Sequence, residues 1–232
     1  MFLLSVVLGD RTAYILGLVP RLVSGGMIWQ VFTYMFMHSG FWHLFFNMFV
    51  LYIFGAELER IWGSDGFLKY YLFSGVFAGV CSFILYFGSR IPIVGASGAI
   101  YGLLVAYGML FPNRYVYLYL LVPIKAKYLV MLLGVIELFS SISGASGGVA
   151  HFAHLGGILG GFLYIVVGRY IGRRKLQKRK IVEIEDFLRR NDENKSVDEI
   201  LDKIIREGIE SLTPDEKKRL IKAGHFFRDM HH

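Results

Sequence analysis

Residues 95–102 read GASGAIYG, and the uncharged run they open, residues 96–111, decides the kind of fold this chain can make. Ser97 stands among small residues at the head of that run, with Tyr101 four residues on and Gly98 and Gly102 also four apart. A bilayer-spanning helix needs roughly 20 apolar residues. This run is shorter, so a helix that begins partway into a membrane would leave Ser97 below the surface, in a cavity opening outward. Its backbone N–H would lie at the positive end of that helix.

Composition supports a membrane setting. The chain has 232 residues, 55% hydrophobic and 19% charged, with a mean hydropathy of +0.50; a soluble domain carries about 25% charged residues. Charge is also segregated, since 17 of the 25 Lys and Arg and 13 of the 18 acidic residues follow Gly168. Residues 41–58, 67–88, 96–111, 128–143 and 149–170 are predicted to span. The opening MFLLSVVLG is too short to cross, and it lacks the basic flank and cleavage site of a signal peptide. It reads as the last part of a first helix whose beginning is missing, which brings the expected total to six. The chain is thus expected to form an all-α membrane domain over residues 1–170, a basic juxtamembrane segment and linker over 171–195, and a small soluble α-helical hairpin over 196–232.

One cysteine, Cys81, in an apolar run excludes a disulfide framework and a cysteine-rich metal site. The block GRYIGRRKLQKRK at residues 168–180 follows the last predicted span directly, so the positive-inside bias puts the C-terminus in the cytoplasm. At that position the partner it implies is anionic lipid, not nucleic acid. Counting back puts both GASG stretches, residues 95–98 and 144–147, toward the outer side. The absence of a transit peptide favours a multi-pass protein of a prokaryotic inner membrane.

Polar residues inside apolar segments are costly and need a partner or a task. In HSGFWHLFFNM, His43 and Asn47 are four apart and share a helical face. In AHFAHLGGILGG, His151 and His154 lie near the outer end of the last span. Ala153, Gly157 and Gly161 form a ridge of small residues, and Gly98 and Gly102 form another. Such ridges let helix backbones approach closely in lipid. Packing them together would bring Ser97 within hydrogen-bonding reach of His154, the geometry of an activated serine. Ser146 lies in SSISGASGGV, a loop composition with no helical anchor, so Ser97 is the expected nucleophile.

The combination HSGFWHLFFNM, GASGAIYG and AHFAHLGG, in that order on separate spans, resembles the rhomboid family of intramembrane serine proteases. The resemblance covers roughly residues 20–170. It implies a six-helix bundle with a Ser–His dyad that cuts transmembrane segments of other membrane proteins near the outer face of the bilayer. Carried over, Ser97 matches the nucleophile and His154 its base; His43 and Asn47 match the residues that stabilise the oxyanion. Tyr101 matches the aromatic packed on the histidine, and Glu59 a glutamate that ties the first loop to a helix. One departure stands out: Trp29-Gln30 occupies a place where the family often has Trp-Arg, which implies a weaker anchor for the first loop.

No cofactor is expected. His38, His43, His151 and His154 could supply zinc ligands, but no H-E-x-x-H pattern accompanies them and no carboxylate is apparent nearby in sequence. Glu137, near the outer end of the fifth span, offers itself as a third member beside Ser97 and His154, but the reading favoured is a residue that caps a loop or faces water. An alternative class is a non-catalytic rhomboid-like protein that binds membrane helices without cutting them, although such a protein has no reason to keep both Ser97 and His154.

In the tail, Ser196 and Glu199 form a capping box before an apolar-periodic run that Gly208 should stop. Thr213, Pro214 and Glu216 then open a second helix. RRNDENKS, residues 189–196, reads as a flexible linker, and the hairpin beyond it as a docking element for a partner.

Overall fold

The computed structural model describes residues 11–118, 121–142 and 148–229. The opening MFLLSVVLG and the second GASG stretch with Ser146 lie outside the described residues. Contacts divide the chain into two compact units, Met1–Gly168 and Arg169–His232.

In the first unit, short helices α1 (Arg11–Leu16), α2 (Pro20–Ser24) and α3 (Gln30–Thr33) precede α4 (Phe41–Val50). Gln30 anchors this leading region. It is fully buried; its side-chain carbonyl accepts the Val19 N–H at 3.0 Å, and its amide donates to the Tyr14 carbonyl at 2.7 Å. The Trp29 indole N–H donates to the Ile15 carbonyl at 3.0 Å. The expected weakness at Trp29-Gln30 is therefore absent: the uncharged amide supplies both a donor and an acceptor, and satisfies the Val19 N–H that burial would otherwise orphan.

A π-helical turn, Leu51–Gly55, carries α4 into α5 (Ala56–Leu85), which is broken inside by Gly63 at φ +71°. The two expected spans over residues 41–58 and 67–88 thus belong to one apolar segment, Phe41–Leu85, interrupted at a residue whose conformation favours glycine. Glu59 reaches across this break to accept a 2.6 Å hydrogen bond from Ser64 Oγ. It secures the break in its own segment, where the resemblance implied a tie to the first loop.

Helix α6 (Ser97–Leu110) is apolar on all sides and largely buried, with Ala99, Leu103 and Ala106 fully enclosed. It ends because Phe111 precedes Pro112, which disfavours helical backbone at the residue before it. Next comes a departure from the all-α expectation. Strands β1 (Tyr115–Leu118) and β2 (Val122–Lys125) pair antiparallel, with Tyr115 opposite Lys125 and Leu118 opposite Val122. Their Val, Ile and Tyr content suits a strand better than a helix. Helix α7 (Ala126–Ile142) follows, then α8 (Gly148–Glu207).

Among the described residues, two segments are long and apolar enough to cross a bilayer, Phe41–Leu85 and His151–Ile184, while Ser97–Leu110 is a shorter apolar helix. Helix α6 packs against α5 on one side and α8 on the other through small residues. A Cβ added at Gly102 would lie 2.6 Å from Ser74 Cβ and 3.0 Å from the Gly157 carbonyl oxygen. One added at Gly157 would meet the Gly98 carbonyl itself, and one at Gly161 would come within 2.8 Å of Gly102 Cα. Backbones this close leave no room for any side chain.

In the second unit α8 continues without a break through residues 189–196. The stretch expected to be a linker is helical because RRNDENKS contains neither Gly nor Pro, and Arg, Glu and Lys favour helix. The helix stops at Gly208, at φ +85°. Helix α9 (Pro214–Asp229) then opens with the expected capping box: Glu216 Oε2 accepts from the Thr213 N–H at 2.7 Å, and the Glu216 N–H donates to Thr213 Oγ1 at 3.3 Å. Lys203 pairs with Glu216 at 3.0 Å, and Ile200 of α8 and Leu212 before α9 are buried.

Candidate active site

The close approach of α6 and α8 has one direct consequence. Ser97, the first residue of α6, and His154, in the second turn of α8, are brought together, with Oγ and Nε2 2.8 Å apart. Tyr101, one turn along α6, stacks its ring on the His154 imidazole at 4.3 Å between centroids and 15° between planes. The two ridges whose packing the sequence left as a condition, Gly98–Gly102 and Ala153–Gly157–Gly161, do mesh. Gly98 faces the Ala153 carbonyl as well as Gly157.

His43 approaches the same serine from α4. A Cβ at Gly95 would lie 2.8 Å from His43 Nε2 and 3.6 Å from Ser97 Oγ, so the imidazole and the hydroxyl border one small space that only a glycine leaves open. Gly95 has φ +128° and its N–H donates to the Tyr34 carbonyl at 3.0 Å, which fixes the turn before Ser97. The other ring nitrogen of His43, Nδ1, is 3.0 Å from Ser39 Oγ. Asn47, buried one turn along α4, gives one amide N–H to the His43 carbonyl at 2.8 Å and keeps a second. His38 is buried edge-on to the His43 ring, with centroids 5.2 Å apart. It is not brought to His151 or His154 by any described contact.

Glu137 overturns the reading of a residue that caps a loop or faces water. It projects from α7 into the protein with 5% of its surface exposed. Its Oε2 is 2.6 Å from His151 Nδ1, and its Oε1 is 3.1 Å from His154 Nδ1 and accepts a short hydrogen bond from Tyr101 Oη. A buried carboxylate in an apolar helix needs such partners. Sequence reasoning weighed it as a third member and set that aside, because Glu137 lies 36 residues from Tyr101 and in no motif with it. The available signal was the presence of a lone acidic residue in the middle of an apolar run. Gly95 and Ser39 were missed.

Glu137, His151 and His154 also offer donor atoms within 4.8 Å of one another, a set that could hold a divalent cation. The carboxylate absent from the zinc reading is therefore present in space, on a neighbouring helix. His43 and His38 are not in that set.

The Rhomboid domain family matches residues 25–171, well over half of the chain. The chain belongs to the rhomboid family. The Bacillus subtilis rhomboid protein YdcA is 34% identical over 154 residues, 66% of this chain and 70% of its own length. Rhomboid protease GluP of Bacillus subtilis is 33% identical over 142 residues, and Rhomboid protein 1, mitochondrial, of Saccharomyces cerevisiae is 31% identical over 149. This chain spans only 26% and 42% of those two relatives. Residues 188–222 match a second family, one of unknown function. Rhomboid membership makes this an integral membrane protein of mainly helical construction, in agreement with its two long apolar segments. Because the relatives include bacterial and mitochondrial proteins, membership leaves the type of membrane open.

Proposed function

We propose that this rhomboid protein is an intramembrane serine endopeptidase, with Ser97 as nucleophile and His154 as general base, in a six-helix bundle spanning residues 1–170. The observation that carries the reading is the 2.8 Å contact between Ser97 Oγ and His154 Nε2, made between two membrane helices whose backbones touch. Ser97 Oγ attacks a peptide carbonyl carbon and passes its proton to His154 Nε2 as the carbonyl π electrons move onto oxygen. His43, the second N–H of Asn47 and the Ser97 backbone N–H donate to that oxyanion. Collapse breaks the C–N bond, with the proton going from His154 to the leaving amine, and water then hydrolyses the acyl-enzyme by the same route.

Tyr101 holds the base in plane by stacking, and Gly98, Gly157 and Gly161 hold the two helices at contact distance. Substrates are transmembrane segments of other proteins, cut near the outer face of a prokaryotic inner membrane. Residues 171–195 form the juxtamembrane segment, and residues 196–232 a cytoplasmic hairpin that docks a partner.

The test is cleavage of a reporter transmembrane substrate in liposomes. Ser97→Ala and His154→Ala should abolish it and Ser146→Ala should not. If the folded parent cuts no reporter while still binding one, the helix-binding reading replaces the protease.

A further inference from the structure

A dyad accounts for one face of the His154 ring and leaves the other unexplained. Imidazole carries one proton when neutral, so serine activation requires that proton on Nδ1 and a lone pair on Nε2, the atom 2.8 Å from Ser97 Oγ. Something must select that tautomer inside an apolar bundle. The atom facing Nδ1 is Glu137 Oε1, at 3.1 Å. An ionised carboxylate only accepts hydrogen bonds, so an imidazole nitrogen turned toward it is stabilised when it carries the proton.

The carboxylate is itself immobilised. Tyr101 Oη donates to Oε1, and His151 Nδ1 meets Oε2 at 2.6 Å. Tyr101 thereby does two things at once, since its ring stacks on His154 while its hydroxyl holds the group behind His154. The His154 Nδ1 approach is too bent to count as a straight hydrogen bond. Such contacts are often poorly aligned in a resting enzyme and tighten as the base takes up its proton. A nearby fixed negative charge then stabilises the imidazolium, more strongly in a low-dielectric interior than in water.

We propose that Glu137 is the positioning residue of His154, so that the site works as a Ser97–His154–Glu137 triad whose carboxylate is held by Tyr101 and His151. The proposal rests on the Ser97–His154 assignment above. It concerns three separate helices, α6, α7 and α8, and makes the orientation of α7 part of the chemistry.

The experiment compares reporter cleavage by the parent, Glu137→Gln and Glu137→Asp in liposomes, alongside Ser97→Ala and His154→Ala. Glu137→Gln should lower kcat by up to about 10⁴-fold, the loss seen when a triad carboxylate becomes an amide, with KM little changed. Glu137→Asp should recover part of that loss. A Glu137→Gln protein with kcat within about threefold of the parent, or with only KM raised, overturns the proposal while leaving the dyad standing if Ser97→Ala and His154→Ala are inert. Cleavage by folded Ser97→Ala or His154→Ala would instead overturn the underlying assignment. Should Glu137→Gln fail to fold, ¹⁵N NMR of the histidine rings in the parent, with His154 assigned from His154→Ala, decides the matter. A protonated Nδ1 is expected, and a neutral Nε2–H tautomer would overturn the proposal.

Discussion

The interface between α6 and α8 and the turn between α8 and α9 are held by opposite means. At the first, backbones touch through Gly98, Gly102, Gly157 and Gly161, and the polar groups of Ser97, His154 and Tyr101 are half-buried around the buried Glu137. Lipid offers little hydrophobic drive between helices, so packing and internal hydrogen bonds must bind them. At the second, local signals act almost alone: a glycine stop at Gly208, a capping box at Thr213 and Glu216, and one ion pair from Lys203. The first region tolerates almost no added atom, and the second should tolerate most.

The largest break in that comparison is Gly157→Ala. Its Cβ would fall on the Gly98 carbonyl, so the helices must separate at the site. A cost beyond the usual ~1–3 kcal/mol of overpacking is expected, with loss of folded protein read by thermal unfolding in detergent. A Gly157→Ala protein as stable as the parent would show that the helices are not in contact.

Gly95→Ala should separate activity from folding. The methyl would enter the space between His43 Nε2 and Ser97 Oγ, and the residue is held at φ +128°. Cleavage should drop on the order of 10²-fold or more, as when an oxyanion donor is lost, while unfolding shifts by only about 1–2 kcal/mol, the cost of left-handed backbone. Equal losses in both measurements would assign Gly95 to folding alone.

Gln30→Leu sharpens the comparison on the stability side. Removing the amide orphans the buried Val19 N–H, at about 1–3 kcal/mol for an unsatisfied buried group. The loss should show as faster proteolysis within the leading region. A protease-resistant variant would mean that the Trp29 bond to Ile15 carries the anchor.

The smallest effect belongs to the tail. The Thr213 backbone N–H, and after it the Lys203 side chain, hold the Glu216 carboxyl down at about 2. Because the folded value is depressed, this stabilisation is complete above the ordinary carboxyl value of 4.5 and is lost as pH falls from there to about 2. The group is exposed, so screening keeps the effect slight. Glu216→Ala should remove the pH dependence of helicity at the start of α9, followed by circular dichroism, and leave reporter cleavage unchanged. An equal loss of cleavage would tie the tail to the membrane unit.

Much of both regions was legible in the order of residues. The small-residue spacing at Gly98–Gly102 and Gly157–Gly161 announced a close helix contact, because a four-residue spacing places glycines on one face whatever the rest of the fold does. The Thr213 capping box was legible because capping is settled within four residues. The strands at Tyr115–Leu118 and Val122–Lys125 were not, since a short apolar run reads equally as the edge of a span. The helical continuity of residues 189–196 was not either, because polarity was read as a linker where helix propensity decided.

Sequence by itself determined the membrane character, through composition, and the family, through the resemblance of three motifs; the four-residue glycine spacing made the pairing of the serine helix with the last long helix available without deciding it. Tertiary structure alone decided what stands behind His154. Glu137, Tyr101 and His151 come from three helices, and no spacing along the chain encodes how α7 rotates its one carboxylate toward them. That rotation follows from burial: an ionised group in an apolar helix is stable only where donors of neighbouring helices meet it, and the packed bundle supplies them at a single place.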